Sequence, residues 1–264
     1  MSTSEPATFW EHLDVLRGCL IKVVAAVMVC AVVAFFFKDA LFEVILAPKD
    51  SDFIAYRLFS TVGQWLTGTG VDDFSVSLVN TGLANQFAIH VKTSLCVGMI
   101  AASPYVVYVL LGFIAPALYA SERSVVYGIV GSGYLMFFVG MAVNYLLIFP
   151  LTFRFLGTYQ VSGDVMNMIT LDSYMDTLLM MSLMLGVLFE LPVACWLLGR
   201  MGMLSSSFMR HYRRHAIVAI LMASAVITPT SDVFTLLLVS MPIWALYEVS
   251  ILLVPRSTAT AQES

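Results

Sequence analysis

Long apolar runs dominate the chain, and their lengths predict how it folds. A helix that crosses a membrane needs about 20 mostly apolar residues. Six runs reach or approach that length, and the alternation of apolar and polar residues typical of a membrane β-barrel is absent. The sequence therefore predicts six transmembrane helices. The predicted spans are residues 20–37, 93–118, 125–149, 178–198, 216–227 and 233–254.

The fifth run differs from the others, because its 12 residues are too few to cross a bilayer of ordinary thickness. The segment that follows it, residues 228–232, is so short that the fifth and sixth helices must form an antiparallel hairpin. We expect this hairpin to extend into its flanking residues or to thin the bilayer locally.

The arginines between the spans predict the orientation of the chain in the membrane. The loop 199–215 carries four arginines, the loop 150–177 carries one, and the turn 228–232 carries none. Placing the arginine-rich loop in the cytoplasm puts both termini inside and the long loop 38–91 outside. Residues 1–254 are predicted to form one membrane domain, and residues 255–264 a short, polar, disordered tail in the cytoplasm.

Composition narrows the class of protein. Hydrophobic residues make up 60% of the chain and charged residues 11%, against roughly 45–50% and about 25% in soluble domains. With 13 Lys and Arg against 17 Asp and Glu there is no excess positive charge for a nucleic acid. The motifs H-E-x-x-H and G-x-S-x-G are absent, and arginines surround His211 and His215. We therefore expect no enzyme, no cofactor and no metal site.

Three carboxylates lie inside or at the edge of the predicted spans, where a charge is costly and indicates a function. Glu190 lies two residues before Pro192, which removes a backbone hydrogen bond and loosens the helix beside the carboxyl group. Glu248 lies in the sixth span. Asp232 precedes that span, and a helix N-cap is a sufficient explanation for it. Glu190 and Glu248 also fit protonated acids satisfied by hydrogen bonds inside the bundle.

Two polar segments lie next to the membrane on the predicted cytoplasmic side. The N-terminal segment places Phe9, Trp10, Leu13 and Leu16 on one helical face, which is typical of an amphipathic helix at the membrane surface. The short loop after the second span contains Glu122. Glu122 either lies in the first turn of the third helix, after a Ser121 cap, or binds an arginine side chain through a bidentate pair of hydrogen bonds.

The order and spacing of six motifs on these spans resemble the TatC family, the multi-spanning receptor subunit of the twin-arginine protein translocase. The resemblance covers residues 10–254. The motifs are His12-Leu-Asp-Val-Leu-Arg17; Leu46-Ala-Pro48; Phe87 with Lys92; Ser103-Pro-Tyr-Val-Val-Tyr108 with Gly112-Phe-Ile-Ala-Pro-Ala-Leu-Tyr119 and Glu122-Arg123; Gly186-Val-Leu-Phe-Glu-Leu-Pro192; and Thr228-Pro-Thr-Ser-Asp-Val-Phe234 with Pro242 and Tyr247-Glu248.

The resemblance implies a fold and a function. The fold would be an all-α, cup-shaped bundle of six helices in the cytoplasmic membrane, with both termini in the cytoplasm. The function would be to bind the twin-arginine signal peptides of folded proteins. Export would be driven by the proton gradient, with single-span partners of the TatA and TatB types and with further copies of the chain in a multi-subunit receptor complex.

The resemblance also implies which residues form the sites. The family pattern His-Leu-x-Glu-Leu-Arg has a glutamate where this chain has Val15. We predict that Glu11, four residues earlier on the same helical face, replaces that glutamate, with Asp14 as the second candidate. The predicted signal-peptide-binding residues are Glu122, Glu11, Asp14, Leu16, Arg17 and Phe113. Glu190, Glu248 and Asp232 are predicted to face partners, and Pro48, Pro104, Pro116 and Pro192 to be structural.

Two other functions remain open from the residues alone. An ion-coupled transporter of small molecules could use Glu190 and Glu248 as its proton or ion carriers. A degenerate scaffold of the TatC type could keep partner binding and lose signal binding, because Val15 removes one of the expected carboxylates.

Overall fold

The structure is a computed structural model that describes residues 9–67, 77–114, 123–160, 162, 167–229 and 232–255. The chain divides into two compact units. The first comprises Met1–Leu41 and His90–Leu135, and the second comprises Phe42–Ile89 and Met136–Ser264.

Helices account for nearly all of the regular structure in the described part of the chain. A parallel pair of two-residue strands is the exception, with Leu78 opposite Ile169 and Val79 opposite Thr170. The helices are α1 (Phe9–Phe36), α2 (Lys38–Leu46), α3 (Ile54–Thr67), α4 (Asn85–Ile114), α5 (Arg123–Val143), α6 (Phe149–Thr158), α7 (Leu171–Phe189), α8 (Leu191–Arg200), α9 (Ser206–His211), α10 (Arg213–Ile227) and α11 (Val233–Leu253). A 3₁₀ turn spans Ala47–Lys49, a π-helical turn spans Asn144–Ile148, and the strands are β1 (Leu78–Val79) and β2 (Ile169–Thr170).

Five helical stretches in the described part are long and apolar enough to cross a membrane. They overlap five of the six predicted spans, and α10 covers the short fifth run with 15 residues. The five stretches are Leu13–Phe36, Asn85–Val109, Gly131–Thr158, Leu171–Arg200 and Val233–Leu253.

The helices extend beyond the apolar runs that predicted them. The second predicted span began at residue 93, whereas α4 begins at Asn85; the third ended at residue 149, whereas helix continues to Thr158. Hydropathy identifies only the part of a helix that lies in lipid, so polar turns at helix ends go undetected. The predicted outer loop 38–91 contains α2 and α3. The sequence did not predict these helices, because α2 is short and α3 is amphipathic, and neither contains a long apolar run.

Small residues bring α1 and α4 together in the first unit. A methyl group built on Gly98 would lie 2.6 Å from the Ala31 backbone nitrogen, so the two helices touch backbone to backbone at this point. Ala31, Ala34 and Ala102 are buried around this contact. His90 Nε2 lies 3.1 Å from the Phe35 carbonyl oxygen in the last turn of α1. Close packing of small residues is a common way to hold helices together in lipid.

An apolar core in the second unit joins α7, α10, α11 and the π-helical turn. Pro150 lies just after that turn, and the Phe149 amide donates to the Asn144 carbonyl five residues earlier. A proline ring does not fit against the carbonyl four residues before it, which explains the wider turn at this position. The buried core consists of Ile148, Met181, Leu185, Phe189, Ile220, Ile227, Val239, Ile243 and Leu246.

Candidate functional site

The N-terminal candidates lie on the first turns of α1, which begins at Phe9. Asp14, Leu16 and Arg17 are exposed, and so is Val15, at the position where the resemblance implies a glutamate. Glu11 lies on the same helix and Phe113 in the last turn of α4, but the described part of the structure does not include their side chains. Glu122 lies outside the described residues. The structure therefore leaves the predicted grouping of Glu122 with Glu11 as a prediction.

Glu190 occupies the break between α7 and α8. Helix α7 ends at Phe189, and α8 begins at Leu191 with Pro192 in its first turn, so the predicted loosening of the helix by Pro192 is confirmed. The Glu190 amide donates to the Val187 carbonyl at 3.1 Å, which is a tight turn rather than regular α-helix. The side chain is half-buried. Its Oε1 is buried and has no hydrogen-bond partner in the described structure.

Packing on the neighbouring helix fixes the position of Glu190. The preceding residue, Phe189, is buried and packs against Gly140 of α5. In the reciprocal contact, the Phe137 ring of α5 packs against Gly186 of α7. Two large rings thus fill the spaces left by two glycines at one helix crossing. The carboxyl group of Glu190 is held at the end of this crossing, with one oxygen free to accept a hydrogen bond.

Glu248 forms an ion pair with Arg213. Its Oε2 lies 2.5 Å from Arg213 Nη2, and the two side chains retain 28% and 48% of their exposure. Next to it, the Tyr247 hydroxyl donates to the Met209 carbonyl at 2.8 Å. Both contacts tie the end of α11 to the start of α10 and the helix before it. Arg213 thus compensates the charge of Glu248 within the chain. Glu190 differs, because its Oε1 has no partner in the part of the chain that the structure describes.

Asp232 caps α11. Its Oδ1 accepts from the Thr235 backbone N–H at 2.6 Å, the geometry of an N-cap. The interpretation of Asp232 as a helix cap is confirmed.

Three tyrosine hydroxyls bind the backbone around the Leu46-Ala-Pro48 motif, and no local sequence pattern predicted these contacts. Tyr145 donates to the Val44 carbonyl, and Tyr174 to the Ile45 carbonyl at 2.9 Å. The Tyr56 hydroxyl lies 3.0 Å from the Pro48 carbonyl and 3.1 Å from the Pro150 carbonyl, so it donates to one of them at a time. Burial raises the pKa of Tyr56, which keeps its hydroxyl protonated as a donor.

These tyrosines explain why Pro48 occupies its position. Pro48 is buried in the 3₁₀ turn that follows α2. Because it has no N–H, its burial leaves no unsatisfied donor, while its carbonyl finds a donor in Tyr56. The turn is joined in this way to α3, to α7 and to the π-helical turn.

The predicted arginine-rich loop 199–215 contains the end of α8, the whole of α9 and the first turn of α10. Arg200 lies over the Trp196 ring, with 5.3 Å between the guanidinium carbon and the ring centroid. Arg213 is held by Glu248. Arg210 and Arg214 are exposed. The positive charge of this loop is what predicted its cytoplasmic side.

The fold and these sites define a polytopic helical membrane protein with acidic groups at the ends and breaks of its spans. Comparison with known proteins supplies the family. Residues 11–242 match the family model of the Sec-independent protein translocase protein TatC. The chain is 31% identical to TatC of Blattabacterium sp. subsp. Periplaneta americana (strain BPLAN), over 92% of this chain and 93% of that protein. It is 33% identical to TatC of Deinococcus radiodurans, over 94% and 85%.

Further similarities agree with this assignment. The chain is 30% identical to TatC of Escherichia coli (strain K12), over 95% of this chain and 89% of that protein. A crystal structure of the twin arginine translocase receptor TatC superimposes with a TM-score of 0.73 at 29% identity, over 92% of this chain and 97% of that chain. A second, determined in DDM, gives a TM-score of 0.76 at 28% identity, over 93% and 100%.

The chain belongs to the TatC family. It is a Sec-independent translocase receptor subunit, a non-enzymatic transport component and a multi-pass protein of the cytoplasmic membrane. The predicted family, the predicted class of all-α polytopic membrane proteins and the expectation of a transport protein rather than an enzyme are confirmed.

Proposed function

We propose that the chain binds twin-arginine signal peptides on its cytoplasmic side, through carboxylates on the N-terminal part of α1 and in the loop that contains Glu122. The match to the TatC family over almost the whole chain carries this proposal. The exposure of Asp14, Leu16 and Arg17 on the first turns of α1 supports it, because these residues are accessible to a peptide.

The chemistry favours arginine over lysine. The planar guanidinium of arginine donates two parallel hydrogen bonds to one carboxylate, whereas the ammonium of lysine acts as a point charge. Hydrogen bonds to charged groups contribute about 1.5–3 kcal/mol each. Two arginines on two carboxylates supply a large part of the roughly 8 kcal/mol that corresponds to micromolar affinity. Glu122 and Glu11 are the proposed pair, with Asp14 as the second candidate beside Glu11.

Crosslinking in membrane vesicles tests this proposal. A photoreactive signal peptide carrying Arg-Arg should crosslink to the segment around Glu122, and a Lys-Lys peptide should crosslink much less. Glu122→Gln and Glu11→Gln should each weaken the Arg-Arg crosslink, whereas Asp52→Asn, an exposed carboxylate in the second unit, serves as the matched control. Equal crosslinking of the two peptides would contradict the carboxylate mechanism.

We propose further that both termini and the loop 199–215 face the cytoplasm, as the arginine distribution indicates. Single cysteines introduced at Ser207 and at Asp172, both exposed, report on the two sides. An impermeant thiol reagent added to intact cells should label the cysteine at position 172 and leave the one at 207 unlabelled. The reverse pattern would invert the topology.

We propose that Glu190 accepts hydrogen bonds from polar groups of signal peptides or of single-span partners of the TatA and TatB types. Its support is the buried Oε1 at a break in the helix, which has no hydrogen-bond partner among the described residues. Glu190→Leu, which removes both acceptor oxygens, should weaken co-purification of the single-span partners, whereas Glu190→Gln keeps an acceptor oxygen and should retain most of it. Retention of both partner binding and export by Glu190→Leu would rule out the role.

Val15 replaces the glutamate of the family pattern, and this replacement supports a second candidate function. In that function the chain is a scaffold that binds the partner proteins but does not bind signal peptides. Val15 is exposed on α1, so a glutamate fits there without repacking. If Val15→Glu creates Arg-Arg binding that the unmodified chain lacks, the scaffold is the correct function. If the unmodified chain already binds, Glu11 or Asp14 supplies the missing carboxylate.

A further inference from the structure

Helices α9 and α10 form one nearly continuous helical segment. The Tyr212 amide donates to the Phe208 carbonyl at 3.1 Å, and the Ala216 amide donates to the Tyr212 carbonyl at 2.9 Å. Both bonds join residues four positions apart, as in a regular α-helix. Residues 206–227 are therefore called the α9–α10 segment below, and side chains three or four positions apart lie on the same face of it.

One face of the α9–α10 segment packs against the protein. Met209 is buried against residues at the end of α11, and Ile220 and Ile227 belong to the buried core. Arg213 lies on the same face and pairs with Glu248 of α11. These contacts determine which face is packed, and they leave the opposite face exposed.

The exposed face of the segment changes in character along its length. Its aliphatic side chains lie one turn apart and are Val218, Met222 and Val226. Toward the start of the segment the same face carries four exposed rings, which are those of Phe208, His211, Tyr212 and His215. The Tyr212 ring contacts the other three, at centroid distances of 4.6–5.5 Å. A belt of rings next to a lipid-facing aliphatic stripe is typical of the level of the lipid headgroups.

Two arginines lie along one edge of these rings. Arg210 and Arg214 are exposed and four positions apart, so their side chains leave the helix one turn from each other. Neither forms an ion pair within the part of the chain that the structure describes. The stretch 191–231 contains no aspartate or glutamate. The two guanidinium groups are therefore available to an anion from outside the chain.

We propose that Arg210, Arg214 and the Tyr212 hydroxyl bind the phosphate of an anionic phospholipid of the phosphatidylglycerol type. The planar guanidinium of arginine donates two hydrogen bonds to a phosphate, and the phenol donates one more. The acyl chains of the same lipid lie along Val218, Met222 and Val226. Basic residues directly beside the end of a membrane helix are typical of sites for anionic lipids.

A bound lipid also explains how a short helix is held in the membrane. Helix α10 has 15 residues, whereas a helix that crosses a bilayer needs about 20. A headgroup bound at the start of the helix keeps this end at the membrane surface, where the bilayer is locally thin. The lipid site is independent of the proposed signal-peptide site, because its residues belong to the second unit and those of the signal-peptide site to the first.

Native mass spectrometry of the intact protein tests this proposal. The protein is released from detergent micelles that contain either phosphatidylglycerol or phosphatidylcholine with the same acyl chains. The unmodified chain should retain severalfold more phosphatidylglycerol than phosphatidylcholine. The double variant Arg210→Gln with Arg214→Gln should retain no more of the first lipid than of the second. Equal retention of the two lipids by the unmodified chain would overturn the proposal.

A second double variant separates a specific site from general attraction between charges. Lys38→Gln with Arg57→Gln removes two exposed positive charges elsewhere on the chain. This control should retain phosphatidylglycerol as the unmodified chain does. If both double variants lose the lipid to the same extent, the binding depends on net charge alone and the proposed site is wrong.

Thermal unfolding keeps the test valid even if the variant without Arg210 and Arg214 is less stable. A lipid that binds the folded state raises the unfolding temperature. Phosphatidylglycerol should raise it above the value in phosphatidylcholine for the unmodified chain and the control, and should leave it unchanged for the arginine variant. An equal rise in the arginine variant would overturn the proposal. Glycerol phosphate, which lacks acyl chains, should have no effect at the same concentration, and a rise equal to that with the lipid would show a site for a free anion instead.

Discussion

Phe189 packs against Gly140 where the helix that carries Glu190 crosses α5. A methyl group built on Gly140 would lie 2.8 Å from Phe189 Cγ and 2.7 Å from the Leu185 carbonyl oxygen. The second of these atoms is backbone and cannot move without moving α7. The glycine is therefore required by the close approach of the two helices, and the approach fixes Phe189 and the adjacent Glu190.

Gly140→Ala should destabilise the protein. The added methyl group must push α7 away from α5, and overpacking of this kind costs about 1–3 kcal/mol. Gly131→Ala on the same helix is the matched control, because no residue that the structure describes lies within 4 Å of its added methyl group. The control should be neutral or stabilising, since alanine favours a helix by up to about 1 kcal/mol over glycine. Thermal unfolding in detergent distinguishes them, and equal midpoints would contradict the role of Gly140.

The segment between α7 and α8 shows how far the sequence could predict structure. A proline inside an apolar run has a local effect on the backbone, so Pro192 predicted the break at Glu190, and the order Thr-Pro-Thr-Ser-Asp before an apolar run predicted the cap at Asp232. By contrast, Tyr174 bonds to Ile45, 129 residues earlier in the chain, and no local pattern indicates such a contact. The third predicted span ended at residue 149, but the proline that follows is tolerated in the first turn of a new helix, and α6 continues to Thr158.

The candidate signal site was predicted less completely than the fold. Val15 lies where the resemblance implies a glutamate, and helical geometry leaves both Glu11 and Asp14 as candidates to replace it. The hydrogen bond between Asn144 and Ser182 went unpredicted for another reason. An asparagine or a serine inside an apolar run is compatible with many environments, and only the packing of the π-helical turn against α7 brings these two residues together.

Tyr174→Phe should destabilise the turn that contains Pro48. The change removes the hydroxyl that donates to the buried Ile45 carbonyl, and an unsatisfied buried acceptor costs about 1–3 kcal/mol. Tyr159→Phe is the control, because its side chain is 62% exposed. The midpoint of thermal unfolding should fall for the first variant and stay unchanged for the second. Unchanged stability of Tyr174→Phe would mean that water or another donor replaces the hydroxyl.

Asp232→Ala should destabilise α11, because the Thr235 amide loses its acceptor. Loss of an N-cap costs roughly 0.5–2 kcal/mol. Asp232→Asn and Asp232→Ser keep a capping oxygen and should retain most of the stability and of the export activity. Loss of export in the asparagine variant, with stability intact, would show that the negative charge of Asp232 has a role beyond the cap.

Exchange of the charges between Arg213 and Glu248 tests whether the pair is a structural contact. Each side chain remains partly exposed, so the pair should contribute only about 0.2–1 kcal/mol to stability. Glu248→Arg alone places two arginines together and should weaken the contact between α10 and α11. The double variant Arg213→Glu with Glu248→Arg restores opposite charges and should recover both stability and export. Arg214→Glu with Glu248→Arg is the control, because Arg213 then still faces the new arginine. If the restored pair leaves export abolished while unfolding is normal, the carboxylate of Glu248 acts in transport itself.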